Sequence, residues 1–123
     1  MKIQSFRELE AWQLGMEFVV RVYAVTRGFP RDERYGLTSQ LRRAAVAIPS
    51  NVSEGHQHGT KAYLHFVIVA LGSLAEADTQ LELARRLRMA ADDELESVAD
   101  LAGHVRRVLH GLRRSLAERR ADS

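Results

Sequence analysis

The sequence predicts an all-α protein, an antiparallel up-and-down four-helix bundle with a proline-kinked second helix, in a single domain over residues 1–123. Three observations carry that expectation. Two long segments place apolar residues at alternating three- and four-residue steps, the spacing that lays one stripe along a helix. Turn residues at Gly28-Phe29-Pro30 and Gly59, with an acidic start at Asp92, divide the chain into four such segments. An Ala-, Leu- and Arg-rich chain with two prolines is poorly suited to β-structure.

The first helix is expected over about residues 5–27. Ser5 and Glu8 have the S-x-x-E spacing of a capping box, in which each side chain satisfies an orphan backbone N–H. The second covers about 38–55, with Leu41, Ala44, Ala45, Ile48 and Val52 on its apolar face and Pro49 inside the pattern. The third spans about 60–89, capped by Thr60, with the stripe Tyr63, Val67, Ala70, Leu74, Ala77, Leu81 and Ala84. The fourth spans about 92–120, with Asp92, Asp93 and Glu94 favourable in the first turn. Its core line is Leu95, Val98, Ala102, Val105, Leu109, Leu112 and Leu116. Short connections between helices of this length make a bundle.

Composition closes off several functions. With 46% hydrophobic residues the chain is no disordered segment, and it is long enough to bury roughly two-thirds of its unfolded surface. Zero cysteine removes disulfides, thiolate nucleophiles and cysteine-ligated metals together. The polar start MKIQSFRELEAW has no apolar signal core, and the apolar run from Phe66 to Leu74 is far shorter than the roughly 20 residues of a membrane span. A cytoplasmic protein is the expectation. No G-x-S-x-G, Walker or G-x-G-x-x-G motif occurs, so neither enzymatic activity nor a cofactor is expected.

The first helix is apolar on more than one face. Leu9, Trp12, Met16, Val19 and Tyr23 form a stripe taken as the bundle core, and Ala11, Leu14, Phe18, Val22 and Val25 form a second. The third helix doubles likewise, with Leu64, Ile68, Leu71 and Ala75 beside its main stripe. One bundle covers about half of each helix, so the second stripes, Ala11, Leu14, Phe18, Val22, Leu64, Ile68 and Leu71, are expected to form an oligomer interface.

Several polar residues border these stripes. Gln40, Arg43, Asn51, Glu54, Glu76 and Gln80 are either an inter-helix network that fixes register or separate solvated side chains. Gly72 falls mid-helix and suggests a close approach by the second helix. Glu54-Gly55-His56-Gln57-His58 resembles a metal site in composition, but no third histidine stands at ligand spacing, so no metal is expected. His65, His104 and His110 lie singly on helices, as surface or boundary residues.

The net charge of +2 conceals a split. Residues 101–123 hold six Arg against Glu118 and Asp122, a net of +4, leaving −2 on the rest. Arg106, Arg113 and Arg120 recur every seven residues, with Arg107 and Arg114 alongside, along about 21 Å of helix. Guanidinium forks suit phosphate, which makes a nucleic-acid surface the leading expectation. A solvated charged face is the alternative. Arg42 and Arg43 are further candidates on the second helix.

Phe6-Arg7-Glu8-Leu9-Glu10-Ala11-Trp12-Gln13 and Tyr35-Gly36-Leu37-Thr38-Ser39-Gln40-Leu41-Arg42-Arg43-Ala44-Ala45 carry a family resemblance. So do Ile48 to Gly55, Ala70 to Glu76 and Thr79-Gln80-Leu81. Over roughly residues 4–90 the chain resembles the bacterial four-helix-bundle proteins named for reading frames in intervening sequences of 23S ribosomal RNA genes. It is also similar to the accessory variability determinant of diversity-generating retroelements, a basic pentamer that binds nucleic acid and a reverse transcriptase. The resemblance implies a ring-like homopentamer with no enzymatic activity. The expected partners are other copies of the chain and RNA, DNA or a nucleic-acid enzyme. A protein-interaction scaffold without a nucleic-acid role is the alternative.

Overall fold

The computed structural model describes residues 5, 6 and 9–122. Four helices follow in order: α1 (Glu10–Thr26), α2 (Leu37–His56), α3 (Thr60–Arg86) and α4 (Asp92–Asp122), with one 3₁₀ turn at Arg31–Glu33 before α2. No strand occurs among the described residues, and none of these helices is long and apolar enough to cross a membrane. α1 packs on α2 and α4, and α3 packs on the same two helices. Hence α1 faces α3 across one diagonal, and α2 faces α4 across the other. Contacts between α1 and α2 pair Gly15 with Pro49 and Thr26 with Arg42, so residue numbers rise on one helix as they fall on the other.

Three core stripes sit where the spacing places them. The α2 residues Leu41, Ala44, Ala45, Ile48 and Val52 are buried, as are the expected seven on α3. On α4 the line from Leu95 to Leu116 is buried, with Leu112 partly covered at its edge.

On α1 the two stripes exchange roles. Ala11, Gly15, Phe18, Val22 and Val25 form the core face. Of the stripe expected there, Leu9 is buried, Trp12 and Val19 are half-buried, and Met16 and Tyr23 are exposed. Gly15 explains the choice. A Cβ at Gly15 would lie 3.4 Å from the Pro49 ring, so α2 approaches along the line that contains this glycine. The expected interface set changes with it. Phe18 and Val22 are completely covered within one chain, Ala11 and Leu64 are buried, and Leu14 and Leu71 pack against the core. Only Ile68 of that set is exposed.

The helix ends show what the spacing leaves open. α1 begins at Glu10 with Leu9 as its cap, later than expected, and Glu8 of the capping box lies outside the described residues. Gly59, not Thr60, is the N-cap of α3. α2 runs through Pro49 as one helix. α3 ends three residues early in a Schellman arrangement: the Met89 N–H donates to the Ala84 carbonyl at 2.9 Å, and the Arg88 N–H to Arg85 at 3.1 Å. Arg88 takes the left-handed conformation (φ 56°) at the position that usually holds glycine. In the same last turn, Arg85 and Arg86 both donate to the Glu82 carboxylate and hold it at about 2, well below the usual range.

Two glycines make opposite predictions. A Cβ at Gly55 would come within 2.8 Å of Phe66 Cβ and 2.9 Å of the Tyr63 ring, because α3 crosses α2 there. A Cβ at Gly72 meets nothing within 4 Å, so the close approach expected at Gly72 belongs to Gly15 and Gly55 instead. Gly72→Ala should raise stability by about 0.5–1 kcal/mol through helix propensity alone. Gly55→Ala should lower it by about 1–3 kcal/mol through overpacking. Urea denaturation of both variants checks the pair, and equal shifts would contradict the packing described.

Candidate nucleic-acid interface

α4 is 31 residues long and packs one face against α1 and α3, which leaves its outer face in solvent. Arg107, Arg113 and Arg114 are exposed on the C-terminal half, and among the described residues none of the three pairs with a carboxylate. Arg106 differs. It forms an ion pair with Asp78 of α3, and both side chains are partly covered. A guanidinium committed in this way is a link between helices before it is a phosphate ligand.

The basic surface continues around the end of the bundle. Gly59, Thr60, Lys61, Ala62, His65 and Arg120 line an open cleft of about 740 Å³ where α4 ends beside the start of α3. First-turn amides of a helix lack intrahelical partners, and the positive end of the helix dipole lies there. Lys61 and Arg120 add two cations, and the lining holds no carboxylate. Lys61 and His65 were not legible as site residues, because they come from a helix distant in sequence from the arginines they join. The seven-residue recurrence does point to Arg120.

Beside this cleft lie ring contacts between the α2–α3 turn and α3. His58 stacks on Phe66 at 5.7 Å, and His65 meets the same ring edge-on. His56 meets the edge of Tyr63 at 5.8 Å. His56 at the end of α2 and His58 in the turn thus rest on different rings, and no group of three His, Cys, Asp or Glu side chains gathers to hold a metal among the described residues. His65, His104 and His110 are exposed, with His104 4.0 Å from Glu10.

Tyr63 is buried and its hydroxyl has no partner among the described residues; neither does His56 Nδ1. Burial pushes the Tyr63 phenol above 10.0, and the positive charge of Arg119 partly offsets that rise. A raised folded value means that the unfolded chain releases the proton first. The neutral phenol therefore contributes stability below pH 10 that is lost as the pH rises through the folded value. Tyr63→Phe should keep or raise the midpoint at neutral pH, since it removes an unpaired hydroxyl. It should also flatten the loss of stability above about pH 10. Thermal melts across alkaline pH check this, and an unchanged alkaline slope would contradict it.

Of the two readings of the polar residues that border the stripes, separate side chains fit better: among the described residues no hydrogen bond joins these six between helices. Gln40, Arg43, Glu54 and Glu76 are exposed, and Asn51 donates to the Ala47 carbonyl of its own helix at 2.7 Å. Gln80 Oε1 is buried and has no partner among the described residues. A side chain that finds an acceptor one turn back has no need of a second helix. Arg42 and Arg43 lie on α2, diagonal to α4, so one protomer does not join them to the α4 arginines in a single surface.

Over residues 7–111 the chain matches the family described as 23S rRNA-intervening sequence protein. Among solved structures it is similar to a protein with unknown function from the S23 ribosomal protein family of Bacteroides thetaiotaomicron, determined at 1.70 Å. That likeness has a TM-score of 0.78 at 19% identity, covering 85% of this chain and 95% of the other. No curated protein matches. The match takes in α1, α2, α3 and the start of the α4 arginine run, and the four-helix fold agrees with it; the chain belongs to the 23S rRNA-intervening sequence protein family.

Proposed function

We infer that this protein is a homo-oligomeric, non-catalytic accessory of the cytoplasm that holds nucleic acid by its phosphates. The observation that carries the reading is the set Arg107, Arg113 and Arg114, exposed and, among the described residues, without carboxylate partners; Lys61 and Arg120 add positive charge around the bundle end. Guanidinium groups match phosphate geometry, and their binding displaces counterions from the nucleic acid.

Assembly is supported by apolar side chains on the other diagonal. Met16 and Val20 are exposed on α1, Val20 by 65%, and Ile68, Val69 and Leu83 are exposed on α3. These two patches face opposite sides of the protomer. An interface joining unlike patches is head-to-tail, and such contacts generate a ring when the rotation closes. α2 and α4, which carry the arginines, then stay free of the subunit contacts. The family resemblance supports five copies. Val20→Asp should drop the mass in light scattering toward the 13.9 kDa of one chain. A wild-type monomer at micromolar concentration would overturn the assembly.

Mobility shifts with duplex and single-stranded RNA and DNA test the nucleic-acid reading. Complexes should form at low salt and weaken steeply as salt is added, with a log–log slope of about −0.9 per phosphate neutralised on duplex DNA. Absence of complexes at low salt would leave the protein-interaction scaffold as the reading.

A further inference from the structure

The groove between α1 and the start of α2 has a chemistry of its own. It is open, about 570 Å³ in volume, within the size range of small-ligand sites. Arg34, Arg42 and Arg43 line it together with Tyr23, Tyr35 and Thr38, and the lining holds no carboxylate. Glu33, the nearest acid in the chain, has one oxygen on the Leu37 amide at 3.0 Å.

The cations are held in place. Arg42 Nε donates to Thr26 Oγ1 at 2.9 Å, and that hydroxyl donates to the Val22 carbonyl at 2.7 Å. The Arg42 guanidinium also lies over the Tyr23 ring, 4.5 Å from its centroid. Fixed from two sides, it presents its remaining N–H groups with little entropy left to lose. The start of α2 adds backbone donors. Leu37 and Gln40 have their amides bonded to Glu33 and Gly36, while Thr38 and Ser39 stand in the first turn, where amides lack intrahelical partners. Thr38 is 7% exposed, and its Oγ1 has no partner among the described residues. A buried hydroxyl in a ligand-sized groove, left unbonded by the protein itself, is what a ligand oxygen would satisfy.

The mouth of the groove differs again. Tyr35 is 87% exposed, with the Arg34 guanidinium 5.7 Å from its ring centroid. An open aromatic face beside cations is a stacking platform for a nucleobase.

We propose that this groove binds one nucleotide unit, with its phosphate on Arg42, Arg43 and the Thr38 hydroxyl and its base on Tyr35. The unit is either a free nucleotide or one link of a single strand. The site goes beyond the phosphate surface on α4, which lies across the bundle from it.

Isothermal titration with adenosine 5′-monophosphate, inorganic phosphate, adenosine and a short oligoadenylate tests the proposal. The monophosphate should bind at least about tenfold more tightly than phosphate or adenosine alone. Tyr35→Ala should reduce it to the level of inorganic phosphate, and Arg43→Ala should weaken both about tenfold. Both positions are exposed, so the variants should fold, and thermal melts check that they do. With the α4 arginines Arg107, Arg113 and Arg114 replaced by alanine, tighter binding of the oligoadenylate identifies a strand as the source, and tighter binding of the monophosphate identifies a free nucleotide. Equal affinity for monophosphate and phosphate, no binding at millimolar ligand, or insensitivity to both substitutions would overturn the site. The triple variant Arg107→Ala, Arg113→Ala, Arg114→Ala should keep its affinity for the monophosphate; a weaker affinity there would also overturn it. That arm separates failure of the groove from failure of the α4 surface.

Discussion

Phe18→Ala should lower the unfolding free energy by about 3–5 kcal/mol, a large share of the 5–15 kcal/mol typical of a domain. Phe18 is completely covered and lies on the α1 stripe that faces the bundle. Deleting its ring removes transfer free energy and leaves a cavity among fully buried neighbours, which close-packed helices fill only in part. Urea denaturation at fixed protein concentration measures the loss. A cost below about 1 kcal/mol would mean that the other α1 stripe faces the core.

The second large effect concerns binding. Replacing Arg107, Arg113 and Arg114 by alanine together should lower affinity for duplex nucleic acid about a hundredfold at low salt, taking on the order of 1 kcal/mol for each arginine–phosphate pair. The salt slope should become shallower by about 0.9 for each phosphate that is no longer neutralised. These side chains are exposed and, among the described residues, pair with no carboxylate, so folding should be little affected. Arg106→Ala makes a useful contrast. Its guanidinium is committed to Asp78, so its removal should change the link between α3 and α4 more than the salt slope. An oligomer repeats each arginine in every copy, so the effect per protomer is multiplied where several copies meet one strand.

How much of this was legible depends on where the deciding contact lies. α4 offers a single apolar line, and a 3.6-residue period resolves such a line without further information; α3 has a second stripe, but its main one keeps an unbroken three- and four-residue alternation from Tyr63 to Ala84. α1 offers two of five apolar residues each, and counting them favours neither. The deciding residue is Gly15, which contributes nothing to hydrophobicity and matters because α2 comes against it. Gly72 misleads in the opposite way: it looks like a packing residue and faces open space. Helix ends turn on single residues, so Gly59 in place of Thr60 as the α3 cap is within the ordinary reach of sequence patterns.

The basic surface was half legible. A run of arginines is visible in sequence, and its outer face on α4 follows from the core line. That Arg106 pairs with Asp78 is a non-local fact, since the recurrence treats Arg106 and Arg113 alike. Lys61 and His65 join the surface only because the start of α3 lies beside the end of α4. The groove at α2 was less legible still. Tyr35, Arg42 and Arg43 stand in a stretch that carries the family resemblance, but nothing in their spacing reveals that Tyr23 and Thr26 fix Arg42 from α1.

The most direct test of the phosphate surface is arginine footprinting. The protein is treated with phenylglyoxal, an arginine-selective reagent, with and without saturating duplex RNA, and modified peptides are read by mass spectrometry. Bound RNA should protect Arg107, Arg113 and Arg114 while leaving the exposed Arg27 and Arg31 at the other end of α1 unchanged. Equal modification of all five arginines with and without bound RNA would contradict the assignment of the α4 face to nucleic acid.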